Sequence, residues 1–303
     1  MKGFHFSLLE FKIRYLESGE VPEKKSSALR GGLGQTLSKM FCVLPEHFAD
    51  DKTTCRDCIC QSRCIVQNVM YAKYKIKPDF VTDVESEGFT LNCYDRRTYV
   101  EEGDYTYFTI IFYGDTVSLF TPVLEALHNF GLIGLGKENV SFAVESVSNR
   151  KHEKIMSEGQ IDNSNILVED INQYIRERRE ELNMQEDFKI IFKSPCYIKF
   201  QGKVIYNFEP EAIIRAAARR IYMFQLFEGI ESEELREFEI PNMISERSRN
   251  VTVKRYSNVQ AQSMNLKGIV GFMELSNVTE EVLDILLAGE ITKIGKNTRF
   301  GFG

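Results

Sequence analysis

The chain has 303 residues and a formal net charge of −6, and this length predicts about two domains. Hydrophobic residues make up 43% of it, which is enough to bury cores and excludes intrinsic disorder as its main state. No apolar run approaches the roughly 20 residues of a membrane span, and the N-terminus lacks a signal-peptide pattern. We therefore expect a cytoplasmic protein without a membrane partner.

The negative charge argues against a general polyanion binder, because non-specific affinity for nucleic acids comes mainly from Lys and Arg at phosphates. What matters, however, is where the charge lies. Basic residues without acids cluster in 215–220, 247–255 and 293–299, so the sequence is compatible with a basic face on an acidic protein.

Hydrophobic periodicity in the first half predicts a βαββαβ succession of elements. A strand at 4–15 is followed by a helix that begins at the N-cap pair Ser26 and Ser27 and continues to Met40. After a cysteine-rich loop at 42–64 come strands at 89–94 and 105–113, a helix at 122–130 with Gly131 as its C-cap, and a strand at 140–147. This order predicts a ferredoxin-like domain over residues 1–160 with the cysteine-rich loop as an insertion.

The charged segment 161–187 is predicted to connect two domains. Beyond it the sequence predicts a strand at 188–193, a helix at 209–227, strands at 250–256 and 268–275, a helix at 279–287 and a glycine-flanked segment at 291–303. We therefore predict an α+β protein of two tandem ferredoxin-like domains, the second over residues 188–303.

The C-terminal segment is rich in glycine and carries Lys293, Lys296 and Arg299. Gly295, Gly301 and Gly303, like other glycines, can adopt positive φ angles and let the backbone approach a phosphate closely, but they also suit a turn that closes the last strand. Glycines alone do not separate these two uses.

A second glycine cluster at 131–136 follows a helix and precedes a strand, as the C-terminal one does. Its repetition supports two related halves. Neither cluster ends in the Gly-Lys-Ser/Thr of a Walker A loop, which argues against a nucleotide hydrolase.

The ordered series of motifs resembles the CRISPR-associated endoribonucleases of the RAMP superfamily that process precursor crRNA, in a cysteine-containing branch. It is carried by the following segments in order: Ala28-Leu29-Arg30-Gly31, the cysteine cluster, Phe112-Tyr113-Gly114, 131–136, Ser194-Pro195, Arg219-Arg220, 255–260, 268–271 and 294–303. The resemblance implies RAMP-type ferredoxin-like domains and CRISPR precursor RNA as partner. It also implies metal-independent cleavage in which the RNA 2′-OH attacks the adjacent phosphate and leaves a 2′,3′-cyclic phosphate.

Such cleavage requires an acid, a base and a group that stabilises the phosphorane charge. His47 follows the first helix, where many members of the family carry a catalytic histidine, and it is our candidate acid or base. Lys52 is the candidate charge stabiliser, and Tyr71, with Tyr74 as the alternative, the residue that positions the 2′-OH. An exposed loop histidine is an equally good interpretation of His47. We interpret His5, in the first strand, and His128, in an apolar helix, as packing residues.

Four cysteines, Cys42, Cys55, Cys58 and Cys64, have the number and spacing of ligands for Zn²⁺ or an iron–sulfur cluster, with Cys60 as an extra. The loop around them is polar, which disfavours the alternative of buried reduced thiols. A closed four-cysteine site would be structural, so no cofactor is expected for catalysis.

Further candidate RNA contacts are basic. Arg219 and Arg220 share a helix with Arg215, and we expect one helix side for all three. Arg255 lies in a predicted strand, and Arg30 lies at the start of the first helix, where N–H groups favour phosphate. The alternative for each is a solvated surface charge.

Two other functions remain open. A non-catalytic RAMP subunit of a CRISPR effector complex would share the fold and bind RNA without cutting it, with other effector subunits as partners. A metal-stabilised interaction module would not use RNA at all.

Overall fold

The structure is a computed structural model that describes residues 2–44, 55, 58–82, 86–182, 187–257 and 262–303, except for the side chains of 254–257 and 262–264. The chain divides into two compact units. The N-terminal unit comprises His5–Val168, and the C-terminal unit comprises Glu169–Gly303 together with the residues before His5. None of the helices in the described ranges has the length and hydropathy that crossing a membrane requires.

The N-terminal unit is a sheet covered by helices. Its strands are β1 His5–Tyr15, β2 Gly19–Glu20, β3 Phe89–Asn92, β4 Tyr99–Val100, β5 Tyr105–Tyr113, β6 Phe142–Asn149, β7 Lys154–Ser157 and β8 Gln160–Ile161, and its helices are α1 Lys25–Phe41, α2 Ile65–Met70 and α3 Phe120–Ile133. The sheet order is β3-β5-β1-β6-β7-β8, all antiparallel. Within this sheet, the order β3-β5-β1-β6 is that of a ferredoxin-like sheet, which confirms the predicted topology.

The core of this unit lies between the sheet and helices α1 and α3. Leu29, Leu33 and Leu37 recur at helical spacing on α1 and are fully buried. From the sheet, Phe11 stacks on Phe108 with ring centroids 5.1 Å apart. The burial of these large side chains fixes the register of β1 between its two neighbours.

The predicted helix boundaries differ most from the observed ones at the start of α1 and at the end of α3. Helix α1 begins at Lys25 and has no side-chain cap, because the Ser26 hydroxyl instead accepts a bond from the Cys93 N–H at 2.9 Å. Helix α3 continues through Gly131 and ends before Gly134, whose φ of 96° marks the C-cap. Gly131 is needed inside the helix because a Cβ there would lie 2.1 Å from the Phe142 carbonyl oxygen.

The C-terminal unit repeats the arrangement with a smaller sheet. Its strands are β9 Glu169–Asp170, β10 Asp187–Cys196, β11 Lys199–Phe200, β12 Lys203–Val204, β13 Asn242–Ser257 and β14 Gln262–Ser276, and its helices are α4 Ile171–Glu181, α5 Pro210–Phe227 and α6 Glu280–Thr292. The order β10-β14-β13 corresponds to the first, third and second strands of a ferredoxin-like sheet. The second predicted domain is therefore also ferredoxin-like.

The segment predicted as a charged connection contains a helix of this unit, α4. Asp170 caps it by accepting a bond from the Asn172 N–H at 2.8 Å. Its arginines pair with acids of α6, at 2.7 Å between Arg179 and Asp284 and at 3.0 Å between Arg178 and Glu290. The residues before His5 join the same unit, since the Phe4 ring stacks on Phe224 at 5.6 Å.

Candidate functional site

The glycine segment 295–303 runs beside the end of β10, where a ferredoxin-like unit has its fourth strand. The Lys296 N–H donates to the Tyr197 carbonyl at 2.8 Å, and the Gly303 N–H donates to the Pro195 carbonyl at 3.0 Å. The Ser194 hydroxyl in turn donates to the Gly303 carbonyl at 2.7 Å. The segment therefore closes the sheet at its β10 edge.

Glycine is required here by close contact with the protein's own backbone. Gly295 has φ of 95°, and a Cβ on it would lie 2.5 Å from the Tyr197 carbonyl oxygen. Gly303 has φ of 90°, and a Cβ on it would lie 2.6 Å from the backbone of Ile294. Gly301 is left-handed as well, with φ of 77°. These glycines thus serve the closing of the sheet, which is one of the two uses that the sequence left open.

The cations of the segment differ in environment. Lys293 is half-buried and has φ of 59° and ψ of 154°, a backbone conformation nearly confined to glycine. Its ammonium donates to the Glu290 carbonyl at 2.8 Å, and burial lowers its pKa to about 8. Lys296 is exposed and Arg299 half-buried, while Phe302 packs inward. A lysine in this backbone conformation lowers the stability of the fold, which indicates that its charge has a function.

The arginines of α5 do not share one side of the helix as predicted. Successive residues of a helix point about 100° apart, so Arg220 points away from Arg219. Arg220 is buried and donates two bonds to the Thr292 carbonyl, at 3.1 and 2.9 Å. Arg215 is half-buried and Arg219 is exposed, and they pair with Glu211 and Glu234, each at 2.8 Å. Arg220 thus holds the end of α6, and a phosphate contact, as predicted for it, would require it to leave the Thr292 carbonyl.

Two further predicted RNA contacts lie on regular elements. Arg255 is in β13, opposite Met264 of β14, and its side chain is outside the described residues. Arg30 lies in the second turn of α1, since the helix begins at Lys25, and not at the helix start as predicted. Its guanidinium lies 5.6 Å from the centre of the Phe89 ring.

Of the three predicted catalytic residues, Tyr71 is the one that the structure describes; His47 and Lys52 lie outside the described residues. Tyr71 is half-buried at the C-cap of α2, and its carbonyl accepts a bond from the Gln67 side chain at 2.9 Å. His5 and His128 are both exposed, so their interpretation as packing residues was wrong. Each lies on a regular element whose opposite side forms the core.

The cysteines Cys42, Cys55, Cys58, Cys60 and Cys64 are half-buried, and none of them forms a disulfide with another described residue. Burial raises the pKa of Cys60, and Cys58, its hydrogen-bond partner, raises it further. Among the described residues, no group of three or more His, Cys, Asp or Glu side chains is arranged to hold a metal ion. The structure therefore does not confirm the cysteine-rich insertion as a metal site.

Sequence reasoning missed a charged network inside the N-terminal unit. The Asp95 carboxylate accepts bonds from Arg97 at 2.8 Å and from the Thr106 hydroxyl at 2.6 Å, and it lies 3.5 Å from the Lys25 ammonium. Burial opposes ionisation of Asp95, but the bonds from Arg97 and Thr106 outweigh it and hold the pKa well below its usual range. The fully buried Lys25 also donates to the Arg97 carbonyl at 2.5 Å. The network ties α1 to β5. In the sequence, only the run of charged residues Asp95-Arg96-Arg97 indicates it.

Both parts of the chain match known protein families. Residues 4–170 match the N-terminal domain family AF_1859_N, and residues 190–303 match the family of CRISPR-associated endoribonuclease Cas6. A solved Cas6 product complex superposes with a TM-score of 0.55 at 15% identity, covering 98% of each chain, and so shares the fold.

Thermus thermophilus Cas6 gives a TM-score of 0.49 at 12% identity, covering 100% of this chain and 98% of that one. No relative with a curated description matches by sequence. The two family matches leave only a short connection uncovered, so the chain combines an N-terminal AF_1859_N domain with a C-terminal domain of the CRISPR-associated endoribonuclease Cas6 family.

Proposed function

We propose that this chain cuts CRISPR repeat RNA within the precursor transcript and so produces mature crRNA. The observation that carries the proposal is the coincidence of the Cas6 match, residues 190–303, with the unit that the glycine segment closes. A basic segment anchored by close backbone packing suits a fixed RNA contact, because its cations need little ordering when RNA binds.

The proposed chemistry is transesterification without a metal. The 2′-oxygen loses its proton to a base and forms a bond to the adjacent phosphorus, while the bond from phosphorus to the 5′-oxygen breaks. The leaving 5′-oxygen takes a proton from an acid, and the products are a 2′,3′-cyclic phosphate and a 5′-OH. In this proposal His47 is the acid or base, Lys52 stabilises the phosphorane charge and Tyr71 positions the 2′-OH.

RNA binding in this proposal uses cations at several places. Lys293, Lys296 and Arg299 of the glycine segment contact phosphates, together with Arg219 and Arg255 of the same unit and Arg30 of α1. Arg219 would have to leave Glu234, with which it pairs at 2.8 Å. Such contacts position the RNA without reading its sequence.

Labelled repeat RNA incubated with purified protein in EDTA tests the proposal. Cleavage to a product that ends in a cyclic phosphate is the expected result. Binding without cleavage would instead support a non-catalytic subunit of an effector complex. Absence of salt-sensitive binding to the repeat would favour an interaction module that does not use RNA.

His47→Ala should slow single-turnover cleavage at least about tenfold and leave repeat binding unchanged, because general acid–base catalysis contributes at least that much. His128→Ala is the matched control, since His128 is an exposed histidine on α3. Unchanged cleavage by His47→Ala would remove His47 from the mechanism.

A structural metal held by Cys42, Cys55, Cys58 and Cys64 stays a proposal that their spacing supports. Much of the loop that joins these cysteines is outside the described residues. Metal analysis and a visible spectrum of anaerobically purified protein distinguish zinc from an iron–sulfur cluster. Protein purified in this way without bound metal would contradict the proposal.

A further inference from the structure

The sheet of the C-terminal unit has one buried face and one accessible face. Along β14, Ile269, Met273 and Leu275 are buried, whereas the intervening Val270 and Phe272 are only half-buried. Because side chains alternate between the two faces of a strand, Phe272 lies on the accessible face. We call this side of the sheet the open face.

An aromatic ring lies at the centre of the open face. Phe272 on β14 is directly opposite Ile191 of β10 and opposite Arg247 of β13. Ile191 is 58% exposed, although it is a large apolar side chain in the middle of a strand. The row Ile191–Phe272–Arg247 therefore presents an apolar, partly aromatic surface with a guanidinium at one end.

Exposed cations flank this row on both edge strands. Lys189 and Lys193 precede and follow Ile191 by two residues on β10, and Arg249 follows Arg247 by two on β13, so all share the open face. The acid between them, Glu274, is bound by the Lys189 ammonium at 2.8 Å and the Ser245 hydroxyl at 2.6 Å. The charge of the open face is thus positive in a protein of negative net charge.

Positive charge around a flat apolar centre is complementary to single-stranded RNA, whose phosphates are anionic and whose bases have apolar faces. Stacking of bases on aromatic side chains, with cations along the backbone, is the general mode of single-strand binding. A second copy of this face would be repelled by its charge.

We propose that Phe272 is a stacking site for a base of a single-stranded stretch of RNA, with Lys189, Lys193, Arg247 and Arg249 beside the flanking phosphates. This inference rests on the proposed function for the identity of the RNA. The Lys189 ammonium lies 3.8 Å from the centre of the Phe272 ring. An incoming base displaces it from the ring, since an exposed cation–π pair is weaker than base stacking. The ammonium has three N–H donors, so it can contact a phosphate and keep its bond to Glu274.

Phe272→Trp makes a direct reporter, because the chain contains no tryptophan. We expect saturable quenching of the introduced indole by a short oligouridine and by single-stranded repeat RNA. Heparin, a polyanion without bases, should bind without quenching. An indole that stays unquenched at saturating oligouridine would overturn the proposal.

Phe272→Ala should weaken oligouridine binding about tenfold, the effect of losing one stacked base, whereas Phe272→Tyr should bind like the wild type. Tyr206→Ala is the control, since Tyr206 is an exposed aromatic of the same unit away from β14. Thermal unfolding of each variant separates loss of binding from loss of fold. Equal binding by Phe272→Ala and wild type would also contradict the proposal.

The oligouridine probe keeps this inference separate from the proposed function. Quenching by oligouridine without cleavage of repeat RNA would support the stacking site and contradict the endoribonuclease. Cleavage of repeat RNA with an unquenched indole would support the endoribonuclease and contradict the stacking site.

Discussion

The two ferredoxin-like units share a topology but complete their sheets differently. In the N-terminal unit the fourth strand, β6, pairs with β1 over most of its length and is itself extended by β7 and β8. In the C-terminal unit the glycine segment contacts the β10 edge through an isolated bridge between Tyr197 and Lys296 and through Gly303.

The two ways of closing the sheet leave different side chains at the surface. A full strand commits its backbone to the ladder and turns alternate side chains inward. The glycine segment is held at a few points and leaves the charged Lys296 exposed. We infer that the N-terminal closure serves stability, whereas the C-terminal closure is also a binding element.

The largest expected effect concerns the network that stabilises the N-terminal unit. Asp95→Asn should lower the free energy of unfolding by about 3 kcal/mol, because it takes the carboxylate away from the fully buried Lys25 ammonium and removes one of the acids that pair with Arg97. Asp104→Asn is the control; its carboxylate is 39% exposed and pairs with the same arginine, so about 0.5 kcal/mol is expected. Urea denaturation measures both, and equal losses would contradict the assigned role of Asp95.

The same carboxylate predicts an acid dependence of stability. The folded-state pKa of Asp95 is lowered, so its contribution is fully present above the unfolded pKa of about 4 and is lost as pH falls toward the folded value. The difference in stability between wild type and Asp95→Asn should therefore shrink as the pH is taken from 7 to 3. A difference that stays constant over this range would exclude Asp95 as the source.

Two glycines with nearly the same φ angle, one in each unit, allow the two closures to be compared directly. Gly134 has φ of 96° and Gly295 has φ of 95°, and a Cβ on either would meet a backbone carbonyl, of Asn139 at 1.9 Å and of Tyr197 at 2.5 Å. Alanine at each should cost about 2 kcal/mol of stability. Only Gly295→Ala should also weaken binding of repeat RNA.

Gly202→Ala is the control for this pair, since Gly202 has φ of 78° with no atom within 4 Å of its Cβ position. It should cost about 1 kcal/mol, the backbone part alone. Equal RNA binding by Gly134→Ala and Gly295→Ala, measured at a temperature where both are folded, would remove the functional distinction between the two closures.

The sequence predicted elements well where one face of a strand or helix is buried. The alternation over 105–113 gave β5 with its observed bounds, and the helix at 209–227 differs from α5 by one residue. Strand β13 begins eight residues before its predicted start, because the hairpin that it forms with β14 is largely exposed and its polar residues carry no period. The prediction of a ferredoxin-like fold was correct despite these errors, because it depends on the order of the elements and not on their exact bounds.

The site was less predictable because it depends on contacts between distant residues. Ser26 resembled an N-cap, but Cys93, far along the chain, binds its hydroxyl. Arg220 resembled a surface charge, but the end of α6 buries it. Phe272 gave no signal, because only the pairing of β14 with its two neighbours places it among Lys189, Ile191 and Arg247.

The smallest expected effect separates stability from binding within the glycine segment. Lys293→Gly should raise the free energy of unfolding by about 1 kcal/mol, because it relieves a backbone conformation that glycine tolerates. It should at the same time weaken repeat binding by the contribution of one phosphate contact. Lys296→Gly is the control: it removes a cation from the same segment without relieving strain, so binding weakens and stability does not rise.

The pKa of Lys293 adds a pH test to this last variant. Its folded-state value of about 8 lies below the usual value for lysine of about 10.4. The charge that we propose to contact RNA is therefore lost as pH rises through about 8, and the affinity advantage of wild type over Lys293→Gly should be largest at pH 7 and vanish by pH 9.5. Stability moves the opposite way, since between pH 8 and 10.4 the unfolded chain binds the extra proton and the folded state gains with pH. An affinity advantage that persists at pH 9.5 would show that Lys293 acts through shape alone, and the glycine segment would then be a closure like that of the N-terminal unit.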